Sequence, residues 1–395
     1  LNAVITPKRE HYKELDSIRG VASLSVLITH LLLVFPVIAS SVTYQEHPFL
    51  FIAKYVPFLR SLFIGGPEAV KLFFVLSGFV LALPFLRPGA SIAYLPFMVK
   101  RFCRIYFPYY TAISLAFILS MAAAQGPLPE YSGWFNSSWA DPLTLPLLLH
   151  HLFLLGEFNH HAYNNVIWSL IHEMRVSLIF PLLMYGVIRF SWKANILLYL
   201  ILGFAGFYLG GFGNTLGFLL LFVVGALLAK HKDRLIAVYQ GLTPLRKTAV
   251  FFFGFCLYSL HLPDSLKNSV LITVFTDLNM IGCCILILAA MAKGAFSRLL
   301  RHPVLHFFGK ISYSLYLLHL IVLIASVRWL HGALPVWLIL GIAAIGSIAL
   351  AALSYYAVEV PSIKIGQKWA ARISGTGKPA APAGTAGKVN GTPAP

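Results

Sequence analysis

Long apolar stretches alternate along this chain with short polar ones. Stretches 17–39, 68–87, 105–124, 166–189, 194–210, 212–230, 247–263, 269–292, 311–331 and 334–357 are nearly free of charge. A helix rises about 1.5 Å per residue, so about 20 apolar residues cross the hydrocarbon core of a bilayer. The pattern predicts an all-α integral membrane protein, a bundle of about ten transmembrane helices. Segment 142–156 is apolar too, but Pro142, Pro146, His150 and His151 interrupt it. Its length suits an interfacial or re-entrant helix. The first stretch follows Lys8, Arg9 and Lys13 and exceeds 20 residues, which reads as a retained anchor. From about Ser374 the chain turns to Gly, Ala, Pro, Thr and Lys, a flexible tail. The expected division is a cytoplasmic segment 1–16, a membrane domain 17–360 and a cytoplasmic tail 361–395, disordered from about residue 374.

Composition agrees with the pattern. The chain is 58% hydrophobic and 11% charged, against about 45–50% and about 25% in soluble domains. That excludes a soluble enzyme, a disordered protein and a disulfide scaffold. The four cysteines include no CxxC pair. The net charge of +17 would point to nucleic acid in a soluble protein, but here it follows the membrane. With the N-terminus in the cytoplasm and ten alternating spans, 24 of the 30 lysines and arginines border the inner side. Lys54, Arg60, Lys71, Lys267 and Arg328 fall outside, and Arg175 lies within a span. Positive residues mark cytoplasmic loops, so both termini are expected there, and no nucleic-acid partner is.

Ionisable groups within apolar spans are costly and mark function. Arg19 and His30 are eleven residues apart in the first span, about 16 Å and close to three turns. This places the imidazole near the bilayer centre, and neutral imidazole is the best proton acceptor near neutral pH. Ser77-Gly78 in the second span permits close helix packing; without a GxSxG elbow it does not read as a nucleophile. Arg101 and Arg104 are one turn apart at the edge of the third span. Two guanidinium forks on one face suit a phosphate, although a topology signal would look the same. Trp168-Ser169-Leu170-Ile171-His172-Glu173 with Arg175 puts three titratable groups in the fourth span, which packing alone explains poorly. Val176 replaces the second histidine of HExxH. Tyr313, Tyr316 and His319 make a narrow polar stripe in the ninth span. The pairs His150-His151 and His160-His161 lack a third ligand at typical spacing, so no metal site is expected. Walker A, GxGxxG and DxD motifs are missing as well.

Taken in order, these blocks resemble the acyltransferase 3 family. They are the Glu14–Gly20 run with His30, Phe73–Phe79 around Ser77, Arg101 with Arg104, Trp168–Glu173, and Gly309–His319. The resemblance covers roughly residues 10–360. It implies a bacterial inner-membrane enzyme that transfers an acyl group, usually acetyl, from acyl-CoA to a hydroxyl of a cell-envelope or secreted glycan or glycoside. Acetyl-CoA would be a co-substrate and not a permanently bound cofactor. Acyl-CoA, a glycan or glycolipid acceptor and membrane lipid are the expected partners. Arg19 and His30 fall on the family's Arg-to-His motif, and Arg101 and Arg104 on its paired arginines. Glu173 falls on its acid after Trp-Ser-Leu. Ser177 stands where many members have tyrosine.

On this reading His30 takes the proton of the acceptor hydroxyl, while Arg101 and Arg104 foremost hold the coenzyme A phosphates. Arg19 either holds phosphate too or orients the imidazole through Asp16. Glu173 either pairs with the imidazolium or binds acceptor hydroxyls. Trp168, Ser77, Tyr313 and His319 are candidate substrate contacts. A proton-coupled transporter or flippase of a glycan precursor is the rival reading, since it shares the spans and the buried ionisable groups.

Overall fold

The computed structural model describes residues 12–43, 56–90, 93–123, 126–141, 144–156, 158–209, 215–262 and 269–375. Most of the predicted flexible tail, 376–395, lies outside the described residues. Each of the ten apolar stretches carries a helix: α1 (Lys13–Leu33), α2 (Gly66–Ala82), α3 (Tyr94–Ala122), α4 (Ile167–Arg189), α5 (Trp192–Tyr208), α6 (Thr215–Gly241), α7 (Pro244–Tyr258), α8 (Ser269–Met291), α9 (Pro303–Leu330) and α10 (Val336–Ser354). Among the described residues there is no strand. Among the described residues seven helices are long and apolar enough to cross a membrane, so the expected count of about ten is not confirmed. The other three, α2, α5 and α7, have 17, 17 and 15 residues. Within segment 142–156 the described residues 144–156 contain only the six-residue helix Leu145–His150, too short to cross.

Helix ends differ from the hydropathy boundaries in ways that shape the site. α3 starts eleven residues before its apolar stretch and α9 eight before. Arg101, Arg104 and Lys310 are therefore held on helices and not in loops. α1 stops at Leu33, before Pro36 opens a short second helix; a proline continuing α1 would remove a hydrogen bond and clash with the preceding turn. His30 consequently lies in the last turn of α1. At the other end of the chain, α10 runs through a π-helical turn, Tyr355–Glu359, into an amphipathic helix α11 (Val360–Ile373). Gly366 of α11 lies against Cys103 of α3.

Two glycine contacts fix the core. α1 and α9 run parallel and touch where Gly20 meets the backbone of Phe308 and Gly309; a Cβ on either glycine would overlap the other helix. α2 and α6 touch in the same way at Gly78 and Gly225, the close approach expected of Ser77-Gly78. The end of the bundle holding Asp16, Arg19 and Gly309 is the basic end. At the far end, the loop around 126–141 closes over α1: Ser132 donates through Oγ to Leu33 O at 2.6 Å and through its amide to Val34 O at 2.9 Å. Those two bonds satisfy carbonyls that a helix terminus leaves open.

Candidate active site

A cavity of about 310 Å3 opens among α1, α2, α3, α4, α9 and the π turn. Arg19, Arg101, Arg104 and Lys310 line it, with Asp16, Glu173 and Glu359 as the carboxylates. Four cations against three anions suit a polyanionic visitor. The cations are not equivalent. Arg101 donates through Nη2 to Glu173 at 2.7 Å and through Nε to Ser177 at 3.1 Å. Ser177 is itself anchored to Glu173 O. Among the described residues Arg19 and Arg104 have no such side-chain partner, which leaves their guanidinium groups open to phosphate. Lys310 is exposed beside them.

Away from the charges the cavity floor is lined by Phe73, Ser77, Ser169, Tyr313 and Tyr316. Tyr313 donates to Ile105 O at 3.0 Å, and the hydroxyls of Tyr316 and Ser169 lie 2.7 Å apart. Tyr316 meets Phe73 edge-on, ring centres 5.8 Å apart. On its other side stands His319, 6.2 Å between ring centres.

His30 lies beyond that floor. Its Nδ1 is 2.8 Å from His319 Nε2, and its ring stacks on Trp134 at 5.3 Å with 6° between planes. The tautomers follow from the partners. His319 Nδ1 lies 2.9 Å from Leu315 O; a carbonyl only accepts, so His319 Nδ1 carries hydrogen. In the neutral ring Nε2 is then an acceptor, and His30 Nδ1 donates to it. His30 Nε2 is left with its lone pair, the form a general base needs.

The family model for an acyltransferase domain, acyltransferase 3, matches residues 12–356. The chain belongs to the acyltransferase 3 family. No curated protein and no solved structure matches it. Of the residues the sequence singled out, the membrane acyltransferase's Asp16, Arg19, Ser77, Arg101, Arg104, Glu173 and Tyr313 line this one cavity. His30, His319 and Trp168 do not line it. The Trp168 ring packs instead on Phe218 and His172, and its neighbour Ser169 takes the place in the wall.

Two expected roles change with this geometry. Asp16 is fourteen residues from His30, about 21 Å along α1, so it does not orient the imidazole; His319 does. Glu173 is tied to Arg101 at the basic end and does not pair with His30. His172 and Arg175 point elsewhere: both bond to Thr215 Oγ1 at 3.1 Å, and Arg175 also donates to Leu155 O. Sequence reasoning missed Glu359 and Trp134, and it named Ser177 only as a departure from the family's tyrosine. Glu359 is buried and accepts from Ser314 at 2.8 Å; its signal was a carboxylate directly after a long apolar run. Trp134 sits in a one-turn helix, Gly133–Asn136, of the far-end connection, where nothing in the spacing linked it to His30. Among the described residues no three His, Cys, Asp or Glu side chains gather around a metal position. Outside the spans, burial and neighbouring His161 push the His160 imidazole down to about 4.

Proposed function

We propose that this acyltransferase moves an acyl group, acetyl above all, from acyl-CoA to a hydroxyl of a cell-envelope or secreted glycan. It does so in a bacterial inner membrane, with the basic end and both termini in the cytoplasm. The observation that carries the reading is a hydrogen-bonded histidine pair standing just beyond the floor of a cation-rimmed cavity. Coenzyme A brings its phosphates to Arg19, Arg104 and Lys310. Arg101, held by Glu173 and Ser177, shapes the wall. The pantetheine arm carries the thioester toward Tyr316 and Ser169.

The acceptor comes from the far end. His30 Nε2 takes the proton of its hydroxyl, and the oxygen attacks the thioester carbonyl carbon. The carbon–sulfur bond breaks, the ester forms, and the departing thiolate takes up the proton from His30. Movement of the Tyr316 or Phe73 ring joins the cavity to the imidazole. Until then those rings keep far-end water from the thioester.

The test is transfer of label from labelled acetyl-CoA to an envelope glycan extract by the purified protein. Labelled glycan is the expected result. Movement of glycan across a vesicle membrane without label would replace the enzyme reading with a flippase.

A further inference from the structure

A second cavity of about 300 Å3 lies at the far end, against the face of α1 that carries Thr29 and Leu33. It shares no lining residue with the basic cavity. Its polar wall is an incomplete network. Arg60 Nη2 donates to Glu68 Oε1 at 2.8 Å, both side chains being at least nine-tenths buried. The other side of each group is idle, because Arg60 Nε and Glu68 Oε2 are buried with no hydrogen-bond partner. One turn along α2, Lys71 donates to Asn279 Oδ1 at 2.5 Å. The Asn279 NH2 is committed to the carbonyls of Leu257, Tyr258 and Leu260, so its oxygen is held toward Lys71.

Two cations thus share one carboxylate, and the hydrogen bond of the lysine goes to a neutral amide. Buried polar groups are normally satisfied, and intramembrane charges are normally paired. What would complete this wall is specific. A hydroxyl can accept from Arg60 Nε and donate to Glu68 Oε2 at once. An oxyanion neutralises Lys71 and takes its remaining N–H groups. A sugar acid carries both on one ring.

We infer that this cavity binds an acidic sugar, its carboxylate or phosphate at Lys71 and a ring hydroxyl across Arg60 and Glu68. The acceptor glycan is then an acidic one, an assignment that rests on the function proposed above. Placement supports it: at 100° per residue His30 lies about 60° around α1 from Leu33 and about 100° from Thr29, on the neighbouring face of the same turn.

The experiment follows thermal unfolding of the full chain in phosphatidylcholine nanodiscs. D-glucuronate should raise Tm, and uncharged D-glucose should not. Lys71→Gln should lose the rise and Lys71→Arg keep it, while the rise caused by coenzyme A at the basic cavity reports folded protein in each. No glucuronate effect on the unmodified chain, or one that glucose reproduces or Lys71→Gln retains, overturns the site. A rise with sn-glycerol 1-phosphate but none with glucuronate also overturns it, in favour of a lipid headgroup. The labelled acetyl-CoA assay is read independently. Glucuronate binding without transfer removes the acyltransferase reading and leaves the site, whereas transfer without glucuronate binding does the reverse.

Discussion

At its basic end α1 presents Arg19 to an open cavity with four cations and three carboxylates, whereas at its far end it presents His30 to a closed arrangement of Trp134 and His319. Among the described residues, Arg19 and Arg104 in the first region have no hydrogen-bonded side-chain partner. The second has every histidine ring nitrogen but one assigned to a neighbour. A site that must take up a mobile polyanion gains from open charges, since each phosphate contact replaces water and not a protein partner. A site that must abstract one proton gains from a fixed tautomer. The same helix therefore serves binding at one end and proton transfer at the other, about 16 Å apart.

The sharpest way to break this division is His30→Ala. Transfer should fall by at least about 100-fold, while the rise in Tm caused by coenzyme A persists. Equal losses in both would mean that the two ends are not separate. Next comes the partner histidine. His319→Leu leaves His30 Nδ1 without an acceptor, and kcat should drop about tenfold or more at constant KM for acyl-CoA. His319→Gln, whose amide oxygen accepts the same hydrogen, should recover part of it; identical losses in the two variants would reduce His319 to packing.

At the basic end, Arg104→Ala should raise the KM for acyl-CoA about tenfold, as expected for one lost charge-assisted bond, with kcat little changed. Arg101→Ala should instead lower Tm, because it strands Glu173 in a partly buried position. A larger KM effect at Arg101 than at Arg104 would reverse the order of the two arginines. The smallest effect concerns His160, in the far-end loop. Its folded value of about 4 lies below the usual 6.5, so the unfolded chain takes up the proton first as pH falls. Its contribution to stability is complete above about pH 6.5 and is lost toward pH 4. Tm measured across that range should decline less steeply in His160→Asn.

Much of the fold was legible because lipid imposes one rule on every span. A continuous apolar run must be a helix to satisfy its own backbone, and each of the ten runs is helical. Helix ends were less legible, since hydropathy registers side chains and not hydrogen bonds. It therefore missed the early start of α3 at Tyr94 and the stop of α1 at Leu33. The residues at the basic end were readable as charges where charge is expensive. Trp134 was not, because an aromatic residue in a polar connecting segment carries no such cost and its meaning depends on what it covers.

By itself the sequence determined that the chain lives in a membrane, that it belongs among the acyltransferases of this family, and which titratable groups pay for burial by having a task. Pairing was left to the tertiary structure. The assignment of Glu173 to Arg101, of His319 to His30, and of Lys71 to Asn279 joins residues 72, 289 and 208 positions apart. Hydrogen bonds act over about 3 Å. Which distant groups come that close is set by helix crossings such as Gly20 on Gly309, and no local pattern encodes those.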